Sequence, residues 1–296
     1  MMSKEHKQFD VQSKVNRFNK DRSKKIIKLI WKYLMLIIIT IFFLLPFVWI
    51  FSTSLKLPQQ IFVYPPQWIP NPISTDNYKE AVTTIPFLLY IWNTIKLALL
   101  AMLGNVLVSP MVAYAFSKLN WKGRDKVFIL VLATMMLPFT LTMIPLYATW
   151  SKLNLINTVV PLVAQDFLGK AYFVFLLRQF FLRVPNELIE AGRIDGASEA
   201  QIFWKIAYPL TKPALVTVGI FAFVWSYTDF MGPLIYLKKP EMWTISLGLS
   251  QFTSSVGVNW PAMMAVAMLS IIPMVILFAF LQRYFMEGSS SSGIKG

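Results

Sequence analysis

The sequence predicts an all-α membrane fold of six transmembrane helices, and three observations carry the prediction. First, 56% of the 296 residues are hydrophobic and the mean hydropathy is +0.56, above the apolar share of a globular domain in water, with the excess clustered in long runs. Second, Lys and Arg are dense in alternate connections between those runs and sparse in the others. Third, one connection carries the polar signature of two short, capped helices.

Six runs approach the roughly 20 residues that cross about 30 Å of hydrocarbon as a helix. They lie near Ile30 to Phe51, Ile95 to Phe116, Val127 to Thr149, Phe167 to Leu182, Ala214 to Leu237 and Met263 to Phe285. The fourth is interrupted by Gln165, Asp166 and Lys170, and Asn154 to Ala164 is either an outer surface segment or part of that span. Six crossings put both ends on one side.

The basic residues say which side. Residues 1–32 hold ten, the connection between the second and third spans holds Lys118, Lys122, Arg124 and Lys126, and that between the fourth and fifth holds Arg178, Arg183, Arg193, Lys205 and Lys212. The opposite connections hold only Lys56, Lys79, Lys152, Lys238 and Lys239. Because Lys and Arg accumulate on the cytoplasmic side of short loops, both termini are predicted to be cytoplasmic in a multi-pass protein of the cell membrane. The expected organisation is a basic tail over residues 1–28, a transmembrane domain over 29–286, and a C-terminal tail over 287–296. The first span reads as a retained helix, since no small-residue cleavage site follows a short apolar core. The basic tail is expected either as a mobile segment on anionic lipid headgroups or as a short amphipathic helix.

Several chemistries lack their materials. There is no Cys, and His6 is the single histidine, so a transition-metal site or a His-based catalytic triad has almost nothing to be built from. Gly169-Lys170 lacks the earlier Gly and the hydroxyl residue of a phosphate loop. If ATP drives this chain, a partner binds it together with its Mg. The net charge of +14 follows the ends of the spans rather than one basic module, which argues against nucleic acid.

Along the chain, Lys56 to Thr94 carries six prolines with Tyr64 and Trp68, and reads as an ordered external cap in which Asp76 to Val82 forms a short surface helix. The polar hairpin lies at residues 185–210. Asn186 can cap a helix that opens with the acids Glu187 and Glu190, and Gly196 supplies a stop. Ser198 starts a second helix with Gln201 in capping-box spacing, and Pro209 and Pro213 break the chain before the next apolar run.

This spacing resembles the cytoplasmic "EAA" loop of ABC importer permeases, with Glu190, Ala191, Gly196, Ile206 and Pro209 on the motif positions. Two positions depart from it: Gly192 stands for the second Ala and Tyr208 for Leu. Further resemblance lies in Phe175-Leu-Leu-Arg-Gln-Phe-Phe, in Trp225-Ser-Tyr-Thr-Asp-Phe-Met-Gly-Pro-Leu, and in Gln282-Arg-Tyr-Phe-Met-Glu-Gly with the terminal Gly293-Ile-Lys-Gly. From about Tyr33 onward the chain is similar to the second, shorter permease subunit of maltose-type carbohydrate importers, which have the ABC type I (MetI-like) permease fold. That family more often has Trp-Asn before the acid where this chain has Tyr227-Thr228.

The resemblance implies a permease rather than an enzyme. Its expected partners are a second permease subunit, two ATPase subunits that bind ATP and Mg, and an extracellular solute-binding protein. The hairpin, with Glu190, Ala191, Gly192, Gly196, Ile206 and Pro209, would dock on the ATPase. An oligosaccharide would be the cargo. An ABC permease for glycerol-3-phosphate or another polar solute is the alternative, and an ion-coupled secondary transporter is the reading from a different class.

Inside the spans, Asp229 is costly enough to be a candidate for the substrate pathway, or else a structural partner for a backbone group or a Tyr hydroxyl. Tyr227 beside it, Gln165, Asp166 and Asn105 are further candidates. Asp166 and Lys170, four apart, either contact substrate or pair with each other. Trp243, Phe252 and Trp260 are either contacts to the binding protein or an interfacial aromatic belt.

Overall fold

The computed structural model describes the backbone of residues 2–254 and 257–290 and the side chains of residues 25–253 and 257–282. His6, most of the basic tail and the Gly293-Ile-Lys-Gly tail lie outside the residues whose side chains are described.

Four helices are long and apolar enough to cross a membrane, and six crossings result when each of two bent pairs counts as one span. The first crossing belongs to α1 (Met2–Ser54), whose apolar side chains from Ile26 to Phe47 are exposed all round, as lipid-facing side chains are. α2 (Asp76–Thr84) is the expected short surface helix. α3 (Phe87–Ser117) starts before the expected Ile95, because the polar residues Asn93 and Thr94 find hydrogen-bond partners, most of them on the segment from Glu241 to Ile245. Asn93 Nδ2 donates to the carbonyl oxygens of Glu241 (2.9 Å) and Trp243 (3.1 Å), and Thr94 Oγ1 donates to Tyr90 O and accepts from Ile245 N–H.

The third expected span is not one helix. α4 (Arg124–Thr134) and α5 (Phe139–Lys152) meet at 96°. Pro138 lies between them in an extended conformation, lacking an N–H and biasing Leu137 away from helix, so the apolar run continues while the helix cannot.

The fourth and fifth spans are interrupted at a common level. The fourth consists of α6 (Val160–Val163), a 3₁₀ turn over Ala164–Phe167, an irregular Leu168 to Lys170 with Gly169 at φ +84°, and α7 (Ala171–Arg183). The fifth, expected to run unbroken from Ala214 to Leu237, stops as α11 (Lys212–Tyr227) and resumes as α12 (Met231–Tyr236). On one side of the two breaks Leu162 packs against Gly232, and on the other the rings of Phe173 and Trp225 stack at 5.0 Å.

α3 runs through the middle of the bundle against α7 and α11. It also comes close to the 3₁₀ turn: a Cβ on Gly104 would lie 2.9 Å from the backbone of Asp166. Phe173, Val174, Leu177, Phe181, Val218 and Ala214 form the larger core with its hairpin end. At the opposite, cap end, Ala81, Ile85, Tyr90, Ile245, Phe252 and Val266 form a second core. There α13 (Ile245–Leu249) leads to a two-stranded antiparallel pair, β1 (Thr253–Ser254) and β2 (Gly257–Val258), a small addition to the all-α expectation. α14 (Trp260–Ser290) is the last crossing and packs on α1.

Candidate functional site

The hairpin is built by local chemistry. α8 (Asn186–Ile194) ends before Gly196, whose φ of +79° only glycine adopts freely, and a Cβ there would meet nothing within 4 Å. The demand for glycine is therefore one of backbone conformation and not of space. Ser198 and Gln201 close the capping box at 2.8 and 3.3 Å, opening α9 (Glu199–Ile202). The helix runs on through a π segment, Phe203–Ala207, into α10 (Tyr208–Leu210). The expected break at Pro209 falls instead at Thr211, where the chain bends by 80° into α11.

The expected Asn186 cap does not form, because a tertiary partner takes the side chain. Lys118, buried at the end of α3, donates from Nζ to Val184 O and to Asn186 Oδ1, both at 2.6 Å. A buried ammonium needs such acceptors. Burial lowers the Lys118 pKa, with Glu187 nearby pulling it back up.

α8 turns Ile189 and Gly192 inward and presents Glu187, Leu188, Glu190, Ala191 and Ile194. Ile194 is 85% exposed, an apolar tip beside two acids. Arg193 Nε donates to Glu199 Oε1 at 2.6 Å, and Tyr114 Oη donates to Glu199 Oε2 at 3.0 Å, so one carboxylate joins both helices of the hairpin to α3. The hydrogen bond from Arg193 holds the Glu199 carboxyl below its ordinary range and raises the guanidinium pKa in turn. Glu190 and Arg193 line a polar cavity of about 280 Å³ together with Lys118, Arg124 and Asn186.

Both departures from the loop motif have local partners. A Cβ on Gly192 would sit 3.0 Å from Ile206 Cδ1 and 3.2 Å from Ile202 Cγ1, so the two helices meet closely at this glycine. Tyr208 packs on Phe203 and Trp204 and directs its hydroxyl at Val106 O, 3.4 Å away. Pro209 is exposed beside it.

Among the in-span candidates, the structure joins Asn105, Asp166 and Lys170. Asp166 Oδ1 accepts from Asn105 Nδ2 and from Lys170 Nζ, both at 2.6 Å. Asn105 and Asp166 are 0% and 1% exposed and occupied with each other. Tyr227 is buried too, its hydroxyl donated to Ser270 O at 2.7 Å. Gln165 is exposed and Asp229 half-buried, with Asp229 Oδ1 accepting from Gly232 N–H at 3.1 Å. Phe252 belongs to the cap-end core, while Trp243 and Trp260 are half-buried.

Sequence reasoning did not single out Lys118, Tyr114 or Glu199 as hairpin supports, nor Trp225 and Tyr172 in the spans. Trp225 is 42% and Tyr172 37% exposed, with ring centroids 5.2 Å apart. Trp225 and Tyr227 are two residues, or about 200° of helix, apart, so one faces the core when the other faces away.

Comparison with known proteins agrees with this architecture. The family described as "Binding-protein-dependent transport system inner membrane component" matches residues 105–288. The arabinooligosaccharides transport system permease protein AraQ of Halalkalibacterium halodurans is 35% identical over 77% of this chain and 81% of its own length. The sn-glycerol-3-phosphate transport system permease protein UgpE of Yersinia enterocolitica is 30% identical over 88% of this chain and 95% of its own. A solved structure of a bacterial ABC transporter involved in the import of the acidic polysaccharide alginate matches with a TM-score of 0.74 at 25% identity, covering 89% of this chain and 98% of that one. With more than half of its length inside the matched family, this chain belongs to the inner-membrane permease components of binding-protein-dependent ABC transport systems.

Proposed function

We propose that this chain carries a carbohydrate, an oligosaccharide above all, across the cell membrane as one of two non-identical permease subunits. Two ATPase subunits bind the cytoplasmic side, and an extracellular solute-binding protein delivers the sugar. The hairpin is the mechanical input. ATP closes the ATPase dimer, the exposed face of α8 around Glu190 follows it, and the bundle turns from inward-facing to outward-facing. ATP binding and hydrolysis belong to the partner.

The observation that carries this reading is the hairpin itself. An exposed face of Glu187, Glu190, Ala191 and Ile194 is held at a fixed angle by Gly196 and the Ser198 box, and is tied to α3 through Tyr114 and Lys118. The basic residues around it support a cytoplasmic position for it. The arabinooligosaccharide relative supports a carbohydrate cargo. A phosphorylated cargo is the second reading, favoured by the glycerol-3-phosphate relative.

The test is reconstitution with the co-purifying subunits and measurement of substrate-stimulated ATPase activity. Glu190→Lys and Gly196→Asp are expected to remain in the membrane and to lose stimulation. Full stimulation in both, or transport without any ATPase, would overturn the proposal. The chain has no Cys, so a single cysteine placed at exposed Ile194 reports the side of the membrane directly.

A further inference from the structure

Resting on the carbohydrate reading above, we infer that Trp225 and Tyr172, with Asp229 beyond them, form a stacking site for an uncharged sugar ring where the fourth and fifth spans are interrupted. Ordinary transmembrane helices offer a ligand few free polar groups, since the backbone is spent on itself. Two facing breaks change that, and binding sites between broken helices follow the same logic in other transporters. Here the breaks fall at Leu168 to Lys170 and Thr228 to Phe230, bracketed by the Leu162–Gly232 contact on one side and the Phe173–Trp225 stack on the other.

The indole of Trp225 is backed by Phe173, which is 0% exposed, and carries Tyr172 at its side. A rigid aromatic surface of this kind presents an apolar face to the C–H face of a sugar. Lipid tails also cover aromatic rings, but they offer nothing to the half-buried carboxylate of Asp229 or to exposed Thr228. Sugar hydroxyls do. Asp229 accepts from the Gly232 N–H through Oδ1 and also meets the Met231 N–H, and a carboxylate with about four acceptor sites still has lone pairs for a sugar hydroxyl.

Charge selects the class of sugar. Lys170 is near enough to act on Asp229 through space, yet its ammonium lies 2.6 Å from Asp166 Oδ1 and is neutralised there. Asp229 has no Lys or Arg within ion-pair distance among the described residues. Lys96, another cation within a span, is nine residues from Asn105 on α3, about half a turn round, and so points away from the Asn105–Asp166 contact. With Asp229 ionised, the three groups at the breaks, Asp166, Lys170 and Asp229, leave one negative charge. A uronate, phosphate or sulfonate would face a carboxylate with no free cation beside it, which disfavours the anionic cargoes of some relatives.

The experiment is uptake into proteoliposomes holding the full assembly and its binding protein. The probes are labelled neutral arabino-, malto- and chito-oligosaccharides against an oligouronate and glycerol-3-phosphate. Wild type is expected to move a neutral probe and neither anion. Trp225→Ala should lower that uptake rate about tenfold or more, while Trp225→Phe recovers most of it. Asp229→Asn, which keeps an oxygen for the Gly232 N–H, should lower neutral uptake and admit the oligouronate. Gel filtration confirms that each variant is assembled; should Trp225→Ala fail to assemble, Tyr172→Ala and Asp229→Asn carry the test. Neutral uptake that is unchanged in these variants overturns the stacking site and leaves the carbohydrate reading standing. Efficient uptake of an anionic probe by wild type overturns the charge selection, and movement of no carbohydrate by wild type overturns the carbohydrate reading together with the site.

Discussion

The hydroxyl of Tyr208 donates to the carbonyl oxygen of Val106 at 3.4 Å, and that carbonyl is the one Pro110 leaves without its helical donor. In an α-helix the N–H of residue i bonds the C=O of residue i−4, and proline has no N–H to give. The hairpin thus reaches into α3 and supplies what α3 lacks. This gives a physical reason for tyrosine at a position where the loop motif has leucine.

Tyr208→Phe keeps the ring packing on Phe203 and Trp204 and removes only the donor. The bond is long, so the loss is expected at the low end of a hydrogen bond's net worth, about 0.5–1 kcal/mol. Thermal unfolding of the assembled complex measures it. The same loss in a Pro110→Ala background would contradict the explanation, because the restored N–H makes the hydroxyl redundant.

At Gly196 the constraint is backbone conformation with open space around it. Asn, which tolerates positive φ, should retain most ATPase stimulation, whereas Val should lose stability by roughly 1 kcal/mol or more and with it the hairpin angle. Comparable activity in both variants would show that the turn is not held as described.

Acid should loosen the hairpin. The Glu199 carboxyl is held below its ordinary 4.5, first by the Arg193 hydrogen bond. Its stabilising contribution is therefore complete above the unfolded value and lost as pH falls through the folded one. With side-chain exposures of 41% for Arg193 and 45% for Glu199, the contribution is a few tenths to about 1 kcal/mol. Amide exchange of Ala197 and Ile202, compared between wild type and Glu199→Gln at each pH, should differ at pH 7 and converge as pH falls through the lowered folded-state pKa of the carboxyl.

The Lys170–Asp166 pair predicts a larger effect. Lys170→Met leaves a carboxylate whose side chain is 2% exposed with Asn105 as its remaining hydrogen-bond partner. A loss of about 3 kcal/mol is expected, toward the lower end for a broken buried pair because Lys170 is one-third exposed. Adding Asp166→Asn should return most of it. Unfolding temperatures of the two variants in detergent settle the matter, and a double variant no better than the single one would refute the pairing.

What was legible in the sequence was whatever the chain decides locally. Gly196 and the Ser198–Gln201 box need only their own neighbours, and they form where the spacing puts them. The Asn186 cap needed the absence of a competitor, and Lys118, sixty-eight residues away, competes. The spans were legible as apolar composition, but the corner at Pro138 and the break after Tyr227 leave that composition unchanged. Which of Trp225 and Tyr227 is exposed depends on the rotation of α11 against α3 and α7, a tertiary quantity that no window of sequence contains.

α3 is fastened at three heights: to the cap end through Asn93 and Thr94, to the fourth span through Asn105, and to the hairpin through Tyr114 and Lys118. A rod clamped at three stations cannot slide or twist relative to what it holds. On the proposed function, these three ties make the cap end, the middle of the bundle and the hairpin one lever arm, along which a push on α8 would be carried to the other end of α3. On the same reading, the corners at Met135 to Pro138 and at Thr211, where the helices bend by 96° and 80°, would be the joints of the machine.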